Sequence, residues 1–527
     1  MEKLRNALEP KLPAILLGLI ALQPALDVFS YFLSLRGSNG LSTLLRTALL
    51  GAAALLGFAL SRRKHLYLAF YAIVAAFWAA HMLNCWRLGY QSVVQDTGSL
   101  LRLLNFPLFT MTFVTILRDR PQLRKSFYWG VGIAFGEILL FTFLPWVLGR
   151  PVHTYADIGV NHIGVGLIGW FAVPSAQSAI IVLTAPFFIF CAYQSGKYPL
   201  YLLGTVLPLG LMFLTGTKLN FYSIFIIAGA YIFLFALQLG KKSLRYVAPL
   251  LAIALLAAVF RHQSPMAVRA ELTAYSQDAY GSMIADSIGS RRNAARMVKR
   301  GGRWVKIVAT PDRQLANLRR VMLGIYADEG VYGWRTRDMN QRFGVYNVMD
   351  VYDYSDAPGA LSDARQMKKN YAKLLWVEKD WPTHLLGFEY SEFWLNGNTY
   401  DLENDFPGVF YNTGYLGFGL YLAFLGLFFY RVFRALGGEF RQSLRRAEPG
   451  PRGRLKALWQ GLRSFLTVEL GAVGISFLLA VAAAQISGNV LRRPNATVYF
   501  ALAAACLFSL TPLPPKAKGE KKVSSEK

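Results

Sequence analysis

Five carboxylates, Glu389, Glu392, Asp401, Glu403 and Asp405, crowd a short stretch that begins near His384 and runs into a long apolar segment. A carboxylate or imidazole at such a boundary can take a proton from an attacking hydroxyl, which makes Glu403, Asp405 and His384 the candidate general bases. A solvated acidic rim would have the same composition. Cations stand in or beside other apolar runs: Arg46 lies within one, and Arg102 and Lys218 lie at the ends of two more. Asp27, Glu137 and Glu469 are the acidic groups inside such runs. Each ionisable group costs roughly 2.5 to 3.5 kcal/mol to insert, so each needs a reason to be there. Lys and Arg above apolar walls suit an amphiphilic anion such as a lipid diphosphate, because phosphate oxygens accept charge-assisted hydrogen bonds. The structural alternatives are snorkelling for Arg46 and Lys218, interhelical hydrogen bonds for Asp27 and Glu137, and a structural role for Glu469.

Other chemistries find little support. Asp350, Asp353 and Asp356 fall three apart, but the spacing fits no standard metal loop, and Cys85, Cys191 and Cys506 are too scattered for a disulfide framework or a ligand set. No metal is expected. The chain has no phosphate-binding loop, dinucleotide fingerprint or hydrolase motif, so neither a nucleotide nor a redox cofactor is expected. Trp304, Trp334, Trp376, Trp381 and Trp394, with Tyr332, Tyr346, Tyr352, Tyr354 and Tyr390, either stack on sugar faces or form the core of their own region.

The elements that position these groups follow from the hydropathy pattern. The chain has 527 residues, 54% of them hydrophobic and only 16% charged, against about 25% charged in an ordinary soluble protein. Twelve apolar segments approach the length of a bilayer crossing, near residues 12–35, 41–60, 65–83, 104–117, 127–148, 175–192, 200–213, 221–239, 246–260, 407–433, 466–486 and 498–510. The fourth is short enough to be partly re-entrant. The net charge of +26 suggests nucleic acid at first sight, yet with the N-terminus inside, the cytoplasmic segments alone hold 28 basic and 7 acidic residues. The charge is therefore a topology signal, nucleic acid is not an expected partner, and both termini are placed in the cytoplasm. Asp27, Arg46, Arg102 and Lys218 then all fall toward the outer face.

The expected fold is all-α: a polytopic membrane protein with about 12 transmembrane helices and one large extracytoplasmic loop domain. Residues 1–260 hold about nine spans, 261–406 the loop, 407–511 about three more spans, and 512–527 a basic tail. The loop is nearly balanced, with 20 basic and 18 acidic residues, and a connection of that size usually carries function. Its stretch IGSRRNAARMVKRGGRW has basic groups at helical spacing and is expected to form a helix, either on the membrane surface or as a solvated linker. The basic segment near 445–463 is expected to fix topology.

Four stretches resemble the O-antigen ligase and O-antigen polymerase family of bacterial membrane glycosyltransferases, in a branch common in Gram-positive bacteria: LQPALDVFSYF, GLIGWFAVPSAQSAI, LTGTKLNFYSI and LENDFPGVFYNTGYLGFG. The resemblance implies that Lys218, in TGTK, binds phosphate, and that an arginine of the large loop does so too, with Arg291 and Arg292 the first choices and Arg46 in support. Where family ligases often carry a His-Asn pair, this chain reads Glu403-Asn404-Asp405, which leaves those carboxylates or His384 as base. The implied partners are a lipid-linked oligosaccharide donor, a glycan or glycolipid acceptor and membrane lipids, at the bacterial cytoplasmic membrane. The implied activity is transfer or polymerisation of glycan from a polyprenyl diphosphate, a donor already activated and needing no cofactor. The alternative is a flippase or exporter of the same lipid.

Overall fold

The computed structural model describes residues 6–38, 40–158, 163–289, 297–300, 303–306, 311–488 and 490–512. Among these, ten helical stretches are long and apolar enough to cross a membrane. One of them, Lys218–Val259, is two helices joined by a tight turn, and the shorter apolar helix Pro494–Leu510 is a further crossing. That restores the twelve crossings expected from hydropathy. The first nine are α1 (Leu12–Leu35), α2 (Gly40–Leu60), α3 (Lys64–Arg87), α4 (Val93–Asp119), α5 (Arg124–Val147), α6 (Pro174–Gln194), α7 (Tyr198–Thr215), α8 (Lys218–Leu239) and α9 (Leu244–Val259).

A large domain follows. It holds α10 (Pro265–Gly289), α11 (Pro311–Tyr326), α12 (Gly333–Phe343), α13 (Val345–Val351), α14 (Pro358–Ser362), α15 (Ala364–Glu378) and α16 (Trp381–Leu386). The chain returns to the bundle through α17 (Asp405–Arg445), α18 (Pro451–Phe465), α19 (Val468–Ile486) and α20 (Pro494–Leu510). Among the described residues, strands form three antiparallel two-stranded sheets, β1 (Tyr155–Ile158) with β2 (Ile163–Val165), β3 (Met297–Arg300) with β4 (Arg303–Lys306), and β5 (Trp394–Leu395) with β6 (Asn398–Thr399). The β3–β4 pair corrects the helix expected across the basic stretch of the loop; residues 290–296 of that stretch lie outside the described residues.

Helix α4 is also longer than its apolar run. It is continuous over 27 residues, capped by the Ser92 hydroxyl, so the fourth crossing is a full span rather than a re-entrant segment. Its polar first turns hold because Asp96 is buried against the large domain and Ser99 against Asn412 of α17 instead of facing lipid. Helices α6 and α20 are buried on nearly all sides and form the centre of the bundle, while α3 and α17 have little buried surface and stand at its rim.

The large domain has its own apolar core, built from Tyr326, Tyr332, Tyr352, Tyr371, Tyr390 and Tyr400 with Met322, Met349, Leu375 and Phe393. Of the aromatic residues singled out above, Tyr332, Tyr352 and Tyr390 are part of this core, Tyr354 and Trp376 pack against it, and Tyr346 is exposed. Trp334, Trp381 and Trp394 are exposed, and the side chain of Trp304 lies outside the described set.

The domain docks on the α3–α4 hairpin. Arg87 pairs with Asp380, Asn84 donates to Thr383, and the backbone N–H of Gln91 donates to Glu389. The backbone N–H of Tyr390 donates to Asp96, and His81 Nδ1 donates to the Leu386 carbonyl. Helix α17 meets the same region at Gly414, whose φ of 62° and ψ of −169° belong to glycine alone. A Cβ there would come within 2.5 Å of the Leu385 and Gly387 backbone.

Candidate active site

The TGTK turn is locked by its own side chains. Gly216 ends α7 at a φ of 72°, and the Thr217 hydroxyl accepts the Asn220 amide while donating to Ser178 on α6. Asn220 Nδ2 donates to Thr215 Oγ1 at 2.6 Å. Lys218, the first residue of α8, is exposed and has no ion pair among the described residues. Nearby, Gln177 Nε2 and Asn220 Oδ1 are buried without a hydrogen-bond partner, the kind of orphan that a bound water or ligand normally satisfies.

Contacts lead from this turn into the large domain. A Cβ on Gly216 would meet Pro265 at 2.8 Å, so the start of α10 lies directly on the turn. One helical turn later Arg269 covers the Tyr155 ring of β1 at 3.7 Å. Tyr155 also feels the charge of Arg365 on α15. Arg365 Nε donates to Glu403 Oε2 at 2.6 Å, Lys368 Nζ donates to Oε1 of the same carboxylate at 3.2 Å, and Arg365 reaches the Ile486 carbonyl at the end of α19. Arg365 and Lys368 thus both bond the carboxylate of Glu403, Arg269 stands on the Tyr155 ring that feels Arg365, and Lys218 belongs to the turn on which α10 begins. Burial alone would push Glu403 up, but Arg365 and Lys368 hold it below the usual carboxylate range.

Two residues on, Asp405 sits in a different setting. It is fully buried at the start of α17, where one oxygen accepts the backbone N–H groups of Val490 and Leu491 at 2.7 and 2.9 Å. Its other oxygen faces Arg492 Nε, and Arg492 also pairs with Asp401 at 2.7 Å and donates to the Leu402 carbonyl. Two glycines make room. A Cβ on Gly408 would strike the Arg492 guanidinium at 2.7 Å, and one on Gly488 would overlap the Glu403 carbonyl. Burial would raise Asp401, yet Arg492 holds it low. Arg493 interacts electrostatically with Arg102, Arg492 and Asp401, and burial together with those two arginines lowers its pKa. Arg102 lies over the Tyr390 ring at 5.8 Å.

Arg46 belongs to this second network. It pairs with Asp27 of α1 at 2.5 Å, and Asn495 of α20 donates to the same oxygen, tying three helices together. His384 is held apart from both. Its ring stacks on Trp376 with centroids 4.4 Å apart, and Nε2 donates to the Trp376 carbonyl. Trp376 is eight residues along α15 from Lys368, or about 12 Å at the helical rise. Arg291 and Arg292 lie outside the described residues.

His81, Cys85 and Asp96 are the group among the described residues with metal-ligand chemistry, their candidate atoms lying within 4.8 Å of one another. Both His81 nitrogens face oxygen acceptors, the Leu386 carbonyl and Asp96 at 3.0 Å, so the imidazole donates twice and locks the domain joint.

The residues joined around TGTK and the LEND segment, at the end of the bundle that carries the large domain, agree with the match over residues 9–447 to the family described as O-antigen ligase like membrane protein. The chain belongs to that family. No curated protein and no solved structure matches it. Within this O-antigen ligase-like protein, sequence reading named Asp401 as part of the acidic cluster but did not assign Arg269, Arg365, Lys368, Arg492 or Arg493. A signal was available for the last two: adjacent arginines in a short connection at the same end of the bundle as the large domain, away from the segments that hold most of the Lys and Arg. For Arg365 and Lys368, distant in sequence from Glu403, only the fold supplies the pairing.

Proposed function

We propose that this membrane enzyme transfers or polymerises glycan from a polyprenyl-diphosphate-linked donor onto an acceptor hydroxyl at the outer face of the bacterial cytoplasmic membrane. The observation that supports the reading most is the pairing of Glu403 with two cations, Arg365 and Lys368, in a stretch of contacts that leads through Tyr155 and Arg269 toward the TGTK turn and its orphaned polar atoms. Lys218, Arg269 and Arg365 hold the diphosphate, aided by the positive end of α8. The acceptor oxygen bonds to the anomeric carbon as the bond from that carbon to the diphosphate oxygen breaks, and the departing charge falls on the cations. The proton of the hydroxyl goes to Glu403. In the resting protein Arg365 and Lys368 depress this carboxylate; a bound diphosphate competes for both cations and returns basicity to Glu403 when it is needed. Direct displacement inverts the anomeric centre. In this reading Asp405 fixes the 487–493 connection, His384 braces α15 against α17, and Arg46 holds α1, α2 and α20 together.

The test is transfer from a purified lipid-linked oligosaccharide by wild type, Lys218→Ala, Arg365→Ala and Glu403→Gln. Loss of transfer with the fold intact supports the site, and full transfer by all three variants overturns it. Wild type that moves the lipid across vesicles without extending any acceptor would make the protein a flippase. A ladder of repeats in the product identifies a polymerase, and a single addition a ligase.

A further inference from the structure

At the end of the bundle opposite the large domain, a cavity of about 460 Å³ opens between α3, α4, α17 and α20. Its walls are apolar, with Met111 and Val114 of α4, Phe424 and Phe428 of α17 and Phe508 of α20. The cleft has a structural cause. Rim helices α3 and α17 touch in their domain-side halves, where Gly417 lets Phe77 approach so closely that a Cβ would lie 2.7 Å from its ring. Seven residues further along α17, Phe424 and its neighbours line open space rather than α3. The core pair α4 and α20 closes the back.

The mouth of this cavity is cationic. Arg62 and Arg63, from the α2–α3 turn, and Arg118, from the last turn of α4, line it, and all three are exposed. One carboxylate, Asp119, lies among them, 3.6 Å from Arg62; Arg63 and Arg118 have no ion pair among the described residues. A fourth arginine, Arg431, lies flat on Phe508 at 3.5 Å and is close enough to Arg118 to feel its charge. Two polar atoms here are buried without a partner, Thr110 Oγ1 on the cavity wall and Arg431 Nε. An apolar slot with a strongly cationic, under-neutralised mouth at a bundle end matches an amphiphile with a negative head and a hydrocarbon tail. Its volume falls within the range of about 300 to 1,000 Å³ usual for small-molecule sites.

We propose that this cavity is a binding site for an anionic phospholipid, one acyl chain lying against Phe424, Phe428 and Phe508 and the phosphate held by Arg62, Arg63 and Arg118. Basic pockets between transmembrane helices recognise acidic headgroups, each Lys or Arg near the surface adding roughly 1 kcal/mol, or about fivefold in affinity. A zwitterionic lipid places its own cation against the same arginines and is disfavoured. Because α17 begins two residues after Glu403, an occupied cavity also steadies the far end of the helix on which the reactive segment is mounted.

The experiment compares phosphatidylglycerol with phosphatidylcholine, added to delipidated full-length protein and counted by native mass spectrometry. Wild type should retain one phosphatidylglycerol and discriminate against phosphatidylcholine. The double variant Arg62→Gln/Arg118→Gln should weaken retention by roughly 25-fold. Val114→Trp, which fills the slot and leaves every charge in place, should weaken it as well. Equal retention of the two lipids overturns the proposal. So does unchanged binding in Val114→Trp, which would leave only diffuse attraction of acidic lipid to a basic surface. Preferential retention of a polyprenyl phosphate over phosphatidylglycerol would also overturn it, by giving the slot to a different lipid.

Discussion

Around Glu403, Arg365 and Lys368 both face one half-exposed carboxylate, and Lys218 has no ion pair among the described residues; around Arg492, Asp401 and Asp405 face the buried guanidinium and the Leu402 carbonyl takes a further donor. The two networks lie on either side of the same connection between α19 and α20. Asn404 donates to the Gln485 carbonyl at its start, and Asp405 receives two amides near its end. A guanidinium buried between two carboxylates and a carbonyl is the signature of a structural clamp, because breaking a buried pair leaves an uncompensated ion. Excess charge with partial exposure is stable only where solvent or a ligand anion answers it. The contrast separates residues that hold the site from those that act in it, although both are Arg, Lys, Asp and Glu within a few positions of one another.

The strongest way to break the comparison is Arg492→Met. It strands Asp401 and Asp405 in a buried setting and should cost about 3 to 5 kcal/mol, read as a large drop in thermal midpoint with loss of folded protein on size exclusion. Lys218→Ala should do the reverse, leaving the thermal midpoint within a degree or so of wild type while transfer falls roughly 100-fold, as for loss of a single charge-stabilising donor. If Lys218→Ala unfolds the protein, or Arg492→Met stays folded and loses only rate, the assignment of clamp and site is inverted. Next in size is Gly414→Ala, which forces a side chain into a glycine-only conformation against the Gly387 backbone and should cost about 1 to 3 kcal/mol, measured by the same melt.

Acid sharpens the comparison further. Glu392 is pulled low by Lys379 and Arg342 despite its burial, and Glu403 by Arg365 and Lys368. A carboxylate with a depressed folded pKa contributes stability that is fully present above its unfolded pKa, about 4.3, and lost as pH falls through the folded value. The thermal midpoint should therefore stay level down to about pH 5 and fall only below about pH 4, and Glu392→Gln should blunt that fall. The smallest effect belongs to His384→Phe, which keeps the stack on Trp376 and loses one hydrogen bond. It should cost about 1 kcal/mol and leave transfer within a few-fold of wild type. A loss near 100-fold would restore His384 as the base.

The bundle was legible in the sequence because a lipid-facing helix must advertise itself: its residues are apolar whatever its neighbours are. The single large domain, and the end of the bundle at which Lys218 stands, followed from the same rule. Helix α4 was read short because its first turns are polar, and what makes them tolerable is a domain nearly 300 residues away. The Glu403 network was half legible. Lys218 and Glu403 stand out as types, but the pairing of Glu403 with Arg365 and Lys368 depends on how α15 lies over the 401–405 segment. Asp405 and His384 were indistinguishable from Glu403 by type and position; backbone amides in one case and a tryptophan face in the other set them apart.

The joint between the α3–α4 hairpin and the large domain has a consequence in time. His81, Asn84, Arg87, Gln91 and Asp96 meet partners between Asp380 and Tyr390, close to 300 residues later in the chain. At about 5 to 20 residues per second, the ribosome takes roughly 15 to 60 s to supply them. Through that interval His81 and Asp96, at the end of the hairpin that meets the domain, have only partners within the hairpin: each other, Cys85 and Tyr90. Much of synthesis thus passes before this rim of the membrane domain can close, and a set of polar groups waits there for the chain's own domain.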